Sequence, residues 1–160
     1  MHPPGKIIAL DPVHIAAKDH GFDLIAIYES QRFFGLSIVE TKAYLDRPNQ
    51  AINDAVAFYR EIDSEQHTLR IRQNVGNMRA ALPKTKQNLI SPSFWKQIRS
   101  YIPNPHYDAK KSMCWTNCRP SFKELIPDKN HIIVMPHIIK WFATFFDSVA
   151  AEMRKFAKSL

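Results

Sequence analysis

The chain has 160 residues, of which 45% are hydrophobic and 11% are Phe, Trp or Tyr, and its formal net charge is +7. This length can bury the core of one domain, and the apolar content excludes an intrinsically disordered protein. The excess of Lys and Arg is typical of proteins that bind partners rich in phosphate. We therefore expect one globular domain over residues 1–160.

The sequence predicts neither secretion nor a membrane span. The first residues, Met1-His-Pro-Pro-Gly-Lys, lack the charged start and long apolar run of a signal peptide. No apolar stretch approaches the ~20 residues that cross a bilayer. The two cysteines, Cys114 and Cys118, are too few for the disulfide framework of a small secreted domain. These features favour a cytoplasmic protein without a membrane partner.

A helix and a strand hairpin are predicted at the start of the chain. An N-cap at Asp11 and a helix stop at Gly21 predict a short helix over residues 11–21. The apolar runs over 22–28 and 33–43 predict the two antiparallel strands of a hairpin.

Two longer helices are predicted to follow the hairpin. The first begins at Asn49 or Gln50, and its apolar residues repeat at spacings of three and four, which predicts one buried stripe. The stripe consists of Ile52, Ala55, Val56, Tyr59 and Ile62. The second helical pattern covers residues 65–82 and is weakened by Gly76 in its interior.

The second half of the chain is predicted to be rich in loops. Prolines divide residues 83–129 into short pieces, so this region is interpreted as a basic, loop-rich insertion that contains one short helix over 93–101. Residues 131–135 predict a short buried strand, and residues 137–159 predict a closing helix.

The closing helix carries a wide and aromatic apolar stripe. Its members are Ile138, Trp141, Phe142, Phe145, Val149, Met153 and Phe156. Packing against the core is the preferred interpretation of this stripe. The alternative is a homodimer interface, because one small sheet rarely needs so wide a face.

Three charged residues lie at the ends of the predicted hairpin strands. Asp23 opens the first strand, and Glu40 and Lys42 end the second. Alternate residues of a strand point to one face, so Glu40 and Lys42 should project together. Such a cluster can bind a divalent metal and stabilise the charge of a phosphate. A second acid-x-Lys triplet, Asp108 to Lys110, follows a polar stretch flanked by prolines and is interpreted as a solvated loop.

This order of elements resembles the PD-(D/E)xK nuclease superfamily, in which a helix, a strand with Asp, a strand with Glu-x-Lys and a helix follow one another. The residues that match the motif are Asp23, Glu40 and Lys42. The resemblance covers residues 7 to about 62, although Phe22 stands where the proline of the family name would be. It implies a restriction-endonuclease-like α/β (α+β) fold, a small mixed sheet flanked by helices in the order α-β-β-α…β-α. Gln50 resembles a catalytic glutamine that several exonuclease and junction-resolvase branches place at the next helix.

The resemblance implies a metal-dependent DNA nuclease that hydrolyses phosphodiester bonds. Asp23, Glu40 and the backbone carbonyl of Thr41 would hold Mg²⁺ or Mn²⁺, which prefer oxygen ligands. Lys42 would orient the attacking water or stabilise the pentacovalent phosphate. Family members often add an acid from the first helix, and the candidates for it are Asp11 and Asp19.

DNA is the expected partner, and a basic region is its expected contact surface. Residues 84–123 hold eight Lys and Arg residues but one acid, Asp108. The basic residues are Lys84, Lys86, Lys96, Arg99, Lys110, Lys111, Arg119 and Lys123. Cations of this kind contact phosphates, whereas most of the aromatic residues among them are expected in the core.

Other functions are compatible with the sequence. Residues 35–45 also resemble the Glu-Thr-Glu-Ala-Tyr segment of alkyladenine DNA glycosylases, but Lys42 stands in place of the glutamate that activates water and Asn53 in place of the downstream histidine. A glycosylase without that glutamate would be inactive, so the nuclease is favoured over it. A catalytically inactive DNA-binding protein with a nuclease fold is one alternative. A non-enzymatic, oligomeric interaction protein that uses the aromatic closing helix is another.

A structural zinc site is a further hypothesis. Two cysteines four residues apart have a spacing found in zinc fingers, and two histidines could complete a tetrahedral set. The candidates are His106, Cys114, Cys118 and His131. Buried and inert cysteines are the alternative.

Overall fold

Five strands form one mixed sheet in the computed structural model, which describes residues 5–11, 22–31, 33–127 and 131–158. The strands are β1 (Lys6–Leu10), β2 (Leu24–Glu29), β3 (Phe34–Ala43), β4 (Arg99–Asp108) and β5 (His137–Ile139). They lie in the order β1-β2-β3-β4-β5. The pairs β1–β2 and β2–β3 are antiparallel, whereas β4 runs parallel to β3 and β5 runs parallel to β4.

Helices flank this sheet. They are α1 (Pro48–Asp63), α2 (Thr68–Ala80), α3 (Lys84–Leu89), α4 (Trp115–Cys118) and α5 (Phe142–Ala157), with 3₁₀ turns at Phe94–Lys96 and Arg119–Glu124. The fold is therefore mixed α/β. None of the described helices combines the length and the hydropathy needed to cross a membrane.

The predicted hairpin of β2 and β3 is confirmed. Its register runs from Leu24 opposite Val39 to Glu29 opposite Phe34, and four consecutive residues of each strand are buried, 25–28 in β2 and 35–38 in β3. The strand β3 continues for four residues beyond Val39, past the point where β2 begins. The end of β3 is thus left without a β2 partner, and this free edge holds the candidate site.

Helix α1 covers β3 and β4 on one face of the sheet. All members of its predicted stripe are buried, which confirms that prediction. The ring of Tyr59 stacks on the ring of Tyr101 at 4.2 Å, and its hydroxyl donates to the carbonyl of Ile38 at 3.4 Å. Because side chains alternate along β3, the face that carries Ile38 also carries Glu40 and Lys42.

Two parts of the N-terminal prediction differ from the structure. The strand β1 was not predicted, because five residues between Gly5 and Asp11 show no alternation of apolar and polar residues. The predicted helix over 11–21 falls outside the described residues, except for Asp11. The carboxylate of Asp11 accepts a hydrogen bond from Asn74 of α2 at 2.9 Å.

The loop-rich interpretation of residues 83–129 is wrong over residues 99–108. That segment is the strand β4, which pairs with β3 along its length, so Asp108 ends a strand and does not lie in a solvated loop. The predicted helix over 93–101 is a 3₁₀ turn followed by the start of this strand.

The two prolines of β4 occupy positions that the ladder with β3 tolerates. The carbonyls of Tyr101 and Pro103 accept hydrogen bonds from Ile133 and Met135, whereas the carbonyl of His106 accepts from Tyr44 after β3. The odd-numbered residues of β4 therefore direct their backbone N–H and C=O groups away from β3. The missing N–H groups of Pro103 and Pro105 would point to that side, so no bond to β3 is lost.

The end of the chain also differs from the prediction. Residues 131–135 run beside β4, with a single bridge between Tyr101 and Ile132, and the predicted helix over 137–159 divides into β5 and α5. Phe142 is the one buried residue of α5, all of which the structure describes. The interpretation of the aromatic stripe as core packing is therefore wrong.

Candidate metal-binding and catalytic site

Asp23, Glu40 and Lys42 meet at the end of the β2–β3 hairpin. The ammonium of Lys42 lies 2.7 Å from Oε1 of Glu40. The backbone N–H of Thr41 donates to Oδ2 of Asp23 at 2.5 Å. The register of β2 and β3, continued by one step, sets Asp23 directly opposite Glu40. The three predicted residues thus share one face and one end of the sheet.

The three side chains differ in depth. Glu40 is 5% exposed, the side chain of Lys42 is 34% exposed, and Asp23 is exposed. One carboxylate is therefore held beneath α1 while the other faces solvent. The cluster is open on the side of Asp23, where a ligand could approach.

Burial and neighbouring charges perturb both members of the Glu40–Lys42 pair. Burial raises the pKa of Glu40, the hydrogen bond from Lys42 offsets part of this rise, and the charges of Asp23 and Glu61 add to it. Burial lowers the pKa of Lys42, but the hydrogen bond and charge of Glu40 outweigh burial and leave the pKa raised. Lys42 is thus an ammonium at neutral pH.

The oxygen atoms of the cluster fit a small divalent cation. Oε2 of Glu40 is buried and has no hydrogen-bond partner among the described residues, which is costly unless a ligand satisfies it. The N–H of Thr41 points to Asp23, and in a strand the carbonyl of the same residue points to the same side. Two carboxylates and one carbonyl could therefore converge there.

The two carboxylates of the cluster suit magnesium better than a metal whose ligands must all be protein side chains. Among the described residues, no group of three or more His, Cys, Asp or Glu side chains could hold a metal ion. Mg²⁺ is usually bound through one or two carboxylates and keeps several waters. Asp23 and Glu40 meet this requirement.

Among the described residues, no hydrogen bond joins Gln50 to Asp23, Glu40 or Lys42. Gln50 donates to Asp54 at 2.6 Å, and Asp54 also accepts from the hydroxyl of Tyr44 at 2.5 Å, so Gln50 belongs to a separate hydrogen-bonded group. Asp11 contacts Asn74 of α2, and Asp19 lies outside the described residues.

Two residues near the site were not predicted. The charge of Glu61, on α1, raises the pKa of Glu40. Oε2 of Glu61 lies 2.9 Å from Nε2 of His67. The amide of Asn104 donates to the hydroxyl of Thr41 at 3.2 Å. Asn104 could have been found only by recognising β4 as a strand. Nothing in the helical periodicity of α1 distinguishes Glu61 from other exposed acids.

The predicted zinc residues are not assembled into one site. His131 contacts Ser100 at 3.3 Å, whereas His106 contacts the ring of His137 at 4.8 Å. Ser100 and His106 are separated by about 20 Å of strand. Cys118 is buried, which raises the pKa of its thiol, and its sulfur lies 3.4 Å from Oδ1 of Asn49.

Half of the predicted DNA-binding cations lie at the sheet end opposite the site. These residues are Lys84, Lys86, Lys96 and Arg99. Lys86 pairs with Glu29, and Lys96 pairs with Glu65 at 3.3 Å. Arg99 and Asp63 are both 9% exposed and lie 3.3 Å apart, so this pair belongs to the core and not to a contact surface.

Two of the remaining predicted cations follow β4 at the end of the sheet that holds the site. Lys110 and Lys111 are exposed and follow β4 at the end where Pro105 lies opposite Lys42. Arg119 and Lys123 are on the 3₁₀ turn beside α1, where they and Trp115 line an open groove of about 1010 Å³. Trp115 is half-exposed, whereas the other aromatic residues between 84 and 123 are largely buried.

The chain matches no protein-family model, and no curated protein or solved structure is significantly similar to it. Its function must therefore be argued from the residues of the site.

Proposed function

We propose that this protein is a metal-dependent DNA nuclease of the PD-(D/E)xK type. The observation that carries the proposal is the arrangement of Asp23, Glu40 and Lys42. Asp23 accepts a hydrogen bond from the backbone of β3, and Lys42 pairs with Glu40 on the same strand. One buried oxygen of Glu40 has no partner among the described residues. A surface ion pair alone would not require such a buried oxygen, because exposed pairs gain their small stability in water.

The order of elements supports the same proposal. The strand that follows Asp23 pairs antiparallel with the strand that carries Glu40 and Lys42, and a helix comes next in the chain. This is the order that the resemblance to the superfamily implies. A mixed sheet flanked by helices is compatible with a restriction-endonuclease-like core.

Asp23, Glu40 and the carbonyl of Thr41 would hold Mg²⁺ or Mn²⁺. When bound, such an ion would polarise the phosphodiester and lower the pKa of a coordinated water. The depth of Glu40 beneath α1 would fix one ligand rigidly, whereas exposed Asp23 would leave the DNA side accessible.

Lys42 would stabilise negative charge on the phosphate and would not act as a general base. A base must lose its proton near the working pH, but the pKa of Lys42 is raised by the hydrogen bond and charge of Glu40, which outweigh its burial. A fixed ammonium beside the carboxylates is suited to the charge that develops on phosphate oxygens during cleavage.

The test is cleavage of supercoiled and linear DNA by the purified protein in Mg²⁺, Mn²⁺ or EDTA. We expect cleavage in either metal and none in EDTA. Asp23→Asn, Glu40→Gln and Lys42→Met should each reduce the rate by about 100-fold or more, because each removes a charge from the transition state. Lys84→Met, which removes an exposed lysine at the opposite end of the sheet, should retain the rate of the unchanged protein.

Two outcomes would contradict the proposal. Cleavage that persists in Lys42→Met would assign the activity to another site or to a contaminant. Absence of cleavage under all conditions, with DNA binding that weakens as salt rises, would indicate a catalytically inactive DNA-binding protein.

A further inference from the structure

An open groove of about 1010 Å³ lies beside α1, outside the candidate site. Its base is apolar, because Phe122, Ile132 and Val134 line it and pack against the buried core. Two further apolar side chains of its lining are exposed, Trp115 at 49% and Ile126 at 64%. Exposed apolar groups that share one concave surface commonly mark a binding site.

The groove also carries positive charge. Arg119 and Lys123 line it, both are exposed, and neither forms an ion pair within the described part of the chain. No acid is among the described residues of the lining, and the neighbouring Glu124 is paired with Arg60 at 3.0 Å. A ligand that fits the groove therefore combines negative charge with an apolar or aromatic body.

The start of α1 connects the groove to the candidate site. The N–H of Cys114 donates to Oδ1 of Asn49, in the first turn of α1, at 2.9 Å. Trp115 therefore lies beside the start of α1, and this helix begins shortly after β3 ends. The end of β3 is the part of the sheet that holds Glu40 and Lys42.

The sheet register gives the separation of the groove and the site. Ile132 forms a bridge with Tyr101, which lies opposite Ile38 of β3. The hydrogen bond from residue 135 to the carbonyl of residue 103 continues this register, so Val134 and Glu40 share the next row on the face that α1 covers. Two strand spacings separate their backbones by roughly 10 Å. The groove and the site thus lie close together on one face of the sheet.

We propose that this groove binds unpaired nucleotides of the DNA substrate. Trp115 would stack on a base, and Arg119 and Lys123 would contact the flanking phosphates. Positively charged grooves with aromatic side chains bind single strands in this way, because unpaired bases expose their faces. The bases of a duplex stack on each other, so a duplex would leave the apolar part of the groove unused. The inference rests on the proposed function, since it takes DNA as the polyanion.

The first test is the affinity for a fluorescently labelled single strand of thymidines, measured by anisotropy in EDTA to prevent cleavage. We expect Trp115→Ala to weaken binding by about tenfold, which corresponds to the loss of one stacked base. Trp115→Phe keeps an aromatic ring and should bind within about threefold of the unchanged protein. Trp141→Ala removes a tryptophan that is 79% exposed outside the groove and should not change the affinity.

The charge of the groove is tested separately. Arg119→Gln/Lys123→Gln should lower the slope of log K against log salt by roughly 1.4 for the single strand, since each phosphate contact contributes about 0.7. Lys84→Gln/Lys96→Gln removes the same charge from the opposite end of the sheet and should leave this slope unchanged.

Single-strand binding that is unaffected by both Trp115→Ala and Arg119→Gln/Lys123→Gln would overturn the inference. A labelled peptide of alternating Glu and Leu is the competing ligand. If the peptide binds in a manner that depends on Trp115 and the strand does not, the groove docks an acidic protein segment and the inference is wrong.

The same experiments separate this inference from the nuclease. Strand binding that depends on Trp115, without cleavage of any DNA, would refute the nuclease alone and leave single-strand binding by the groove in place. Cleavage that is lost in Lys42→Met, together with strand binding that does not depend on Trp115, would refute the groove alone.

Discussion

The two oxygens of the Glu40 carboxylate have different environments. Oε1 is held by Lys42 at 2.7 Å, whereas Oε2 is buried without a partner among the described residues. An oxygen of this kind costs free energy in the folded state, because burial removes its water. Functional sites tolerate such costs more often than structural ones do, because a ligand recovers them.

We expect Glu40→Gln to stabilise the metal-free protein at neutral pH by roughly 1 kcal/mol, the size of a typical stabilising substitution. Burial raises the pKa of Glu40, so its favourable contribution is complete at low pH and is lost as pH rises through that raised pKa. The neutral amide does not ionise. The gain should therefore be larger at pH 8 than at pH 5, as measured by denaturant unfolding in EDTA.

Metal should reverse this difference. At pH 8, Mg²⁺ at ten times its Kd should stabilise the unchanged protein by about 1.4 kcal/mol and Glu40→Gln by far less. Glu124→Gln, at an exposed carboxylate, serves as the matched control. If Glu40→Gln instead destabilises the protein equally at both pH values, Glu40 is a structural partner of Lys42 and not a metal ligand.

Local periodicity was sufficient to predict which residues of the candidate site share a face. Glu40 and Lys42 project together because side chains alternate along any strand, whatever surrounds it. The role of Arg99 could not be predicted in this way. Its partner Asp63 is distant in sequence, and only the packing of α1 on β4 brings the two charges together.

At the scale of elements, β4 shows why a correct rule on proline led to a wrong prediction. Proline is excluded from central strands because it lacks an N–H for the ladder. In β4, however, the backbone groups of odd-numbered residues face residues 131–139, where pairing is incomplete. The direction of a backbone group depends on which strand lies on each side, and that is tertiary information.

The backbone directions in β4 predict opposite outcomes at neighbouring positions. Asn104→Pro should destabilise the fold by about 3 kcal/mol or more, since the N–H of residue 104 faces β3. Pro105→Ala should change stability by less than about 1 kcal/mol, since no ladder bond to β3 depends on it. Denaturant unfolding measures both.

Asn104→Ala separates the contribution of the Asn104 side chain to stability from that of the backbone N–H. It removes the hydrogen bond to Thr41 but keeps the N–H, so it should cost about 1 kcal/mol. An equal loss in Asn104→Ala and Asn104→Pro would show that the side chain, and not the ladder, is what β4 needs at this position.

At the scale of the whole molecule, net charge does not reveal where a polyanion would bind. The eight cations between residues 84 and 123 lie in one stretch of the sequence, but the fold places some at each end of the sheet and two on the 3₁₀ turn beside α1. Lys86, Lys96 and Arg99 have acidic partners at the far end. Lys110 and Lys111 are exposed and follow β4 at the end of the sheet that holds the candidate site.

We therefore expect Lys110→Gln/Lys111→Gln to weaken DNA binding uniformly across sequences. Each phosphate contact contributes about 0.9 to the slope of log K against log salt, so the slope should fall by roughly 2. Fluorescence anisotropy over a salt series, in EDTA to prevent cleavage, measures this slope. Lys84→Gln/Lys96→Gln removes the same charge from the far end and should leave the slope unchanged. If both double variants lower the slope equally, DNA binding depends on the net charge alone, and DNA contacts no particular end of the sheet.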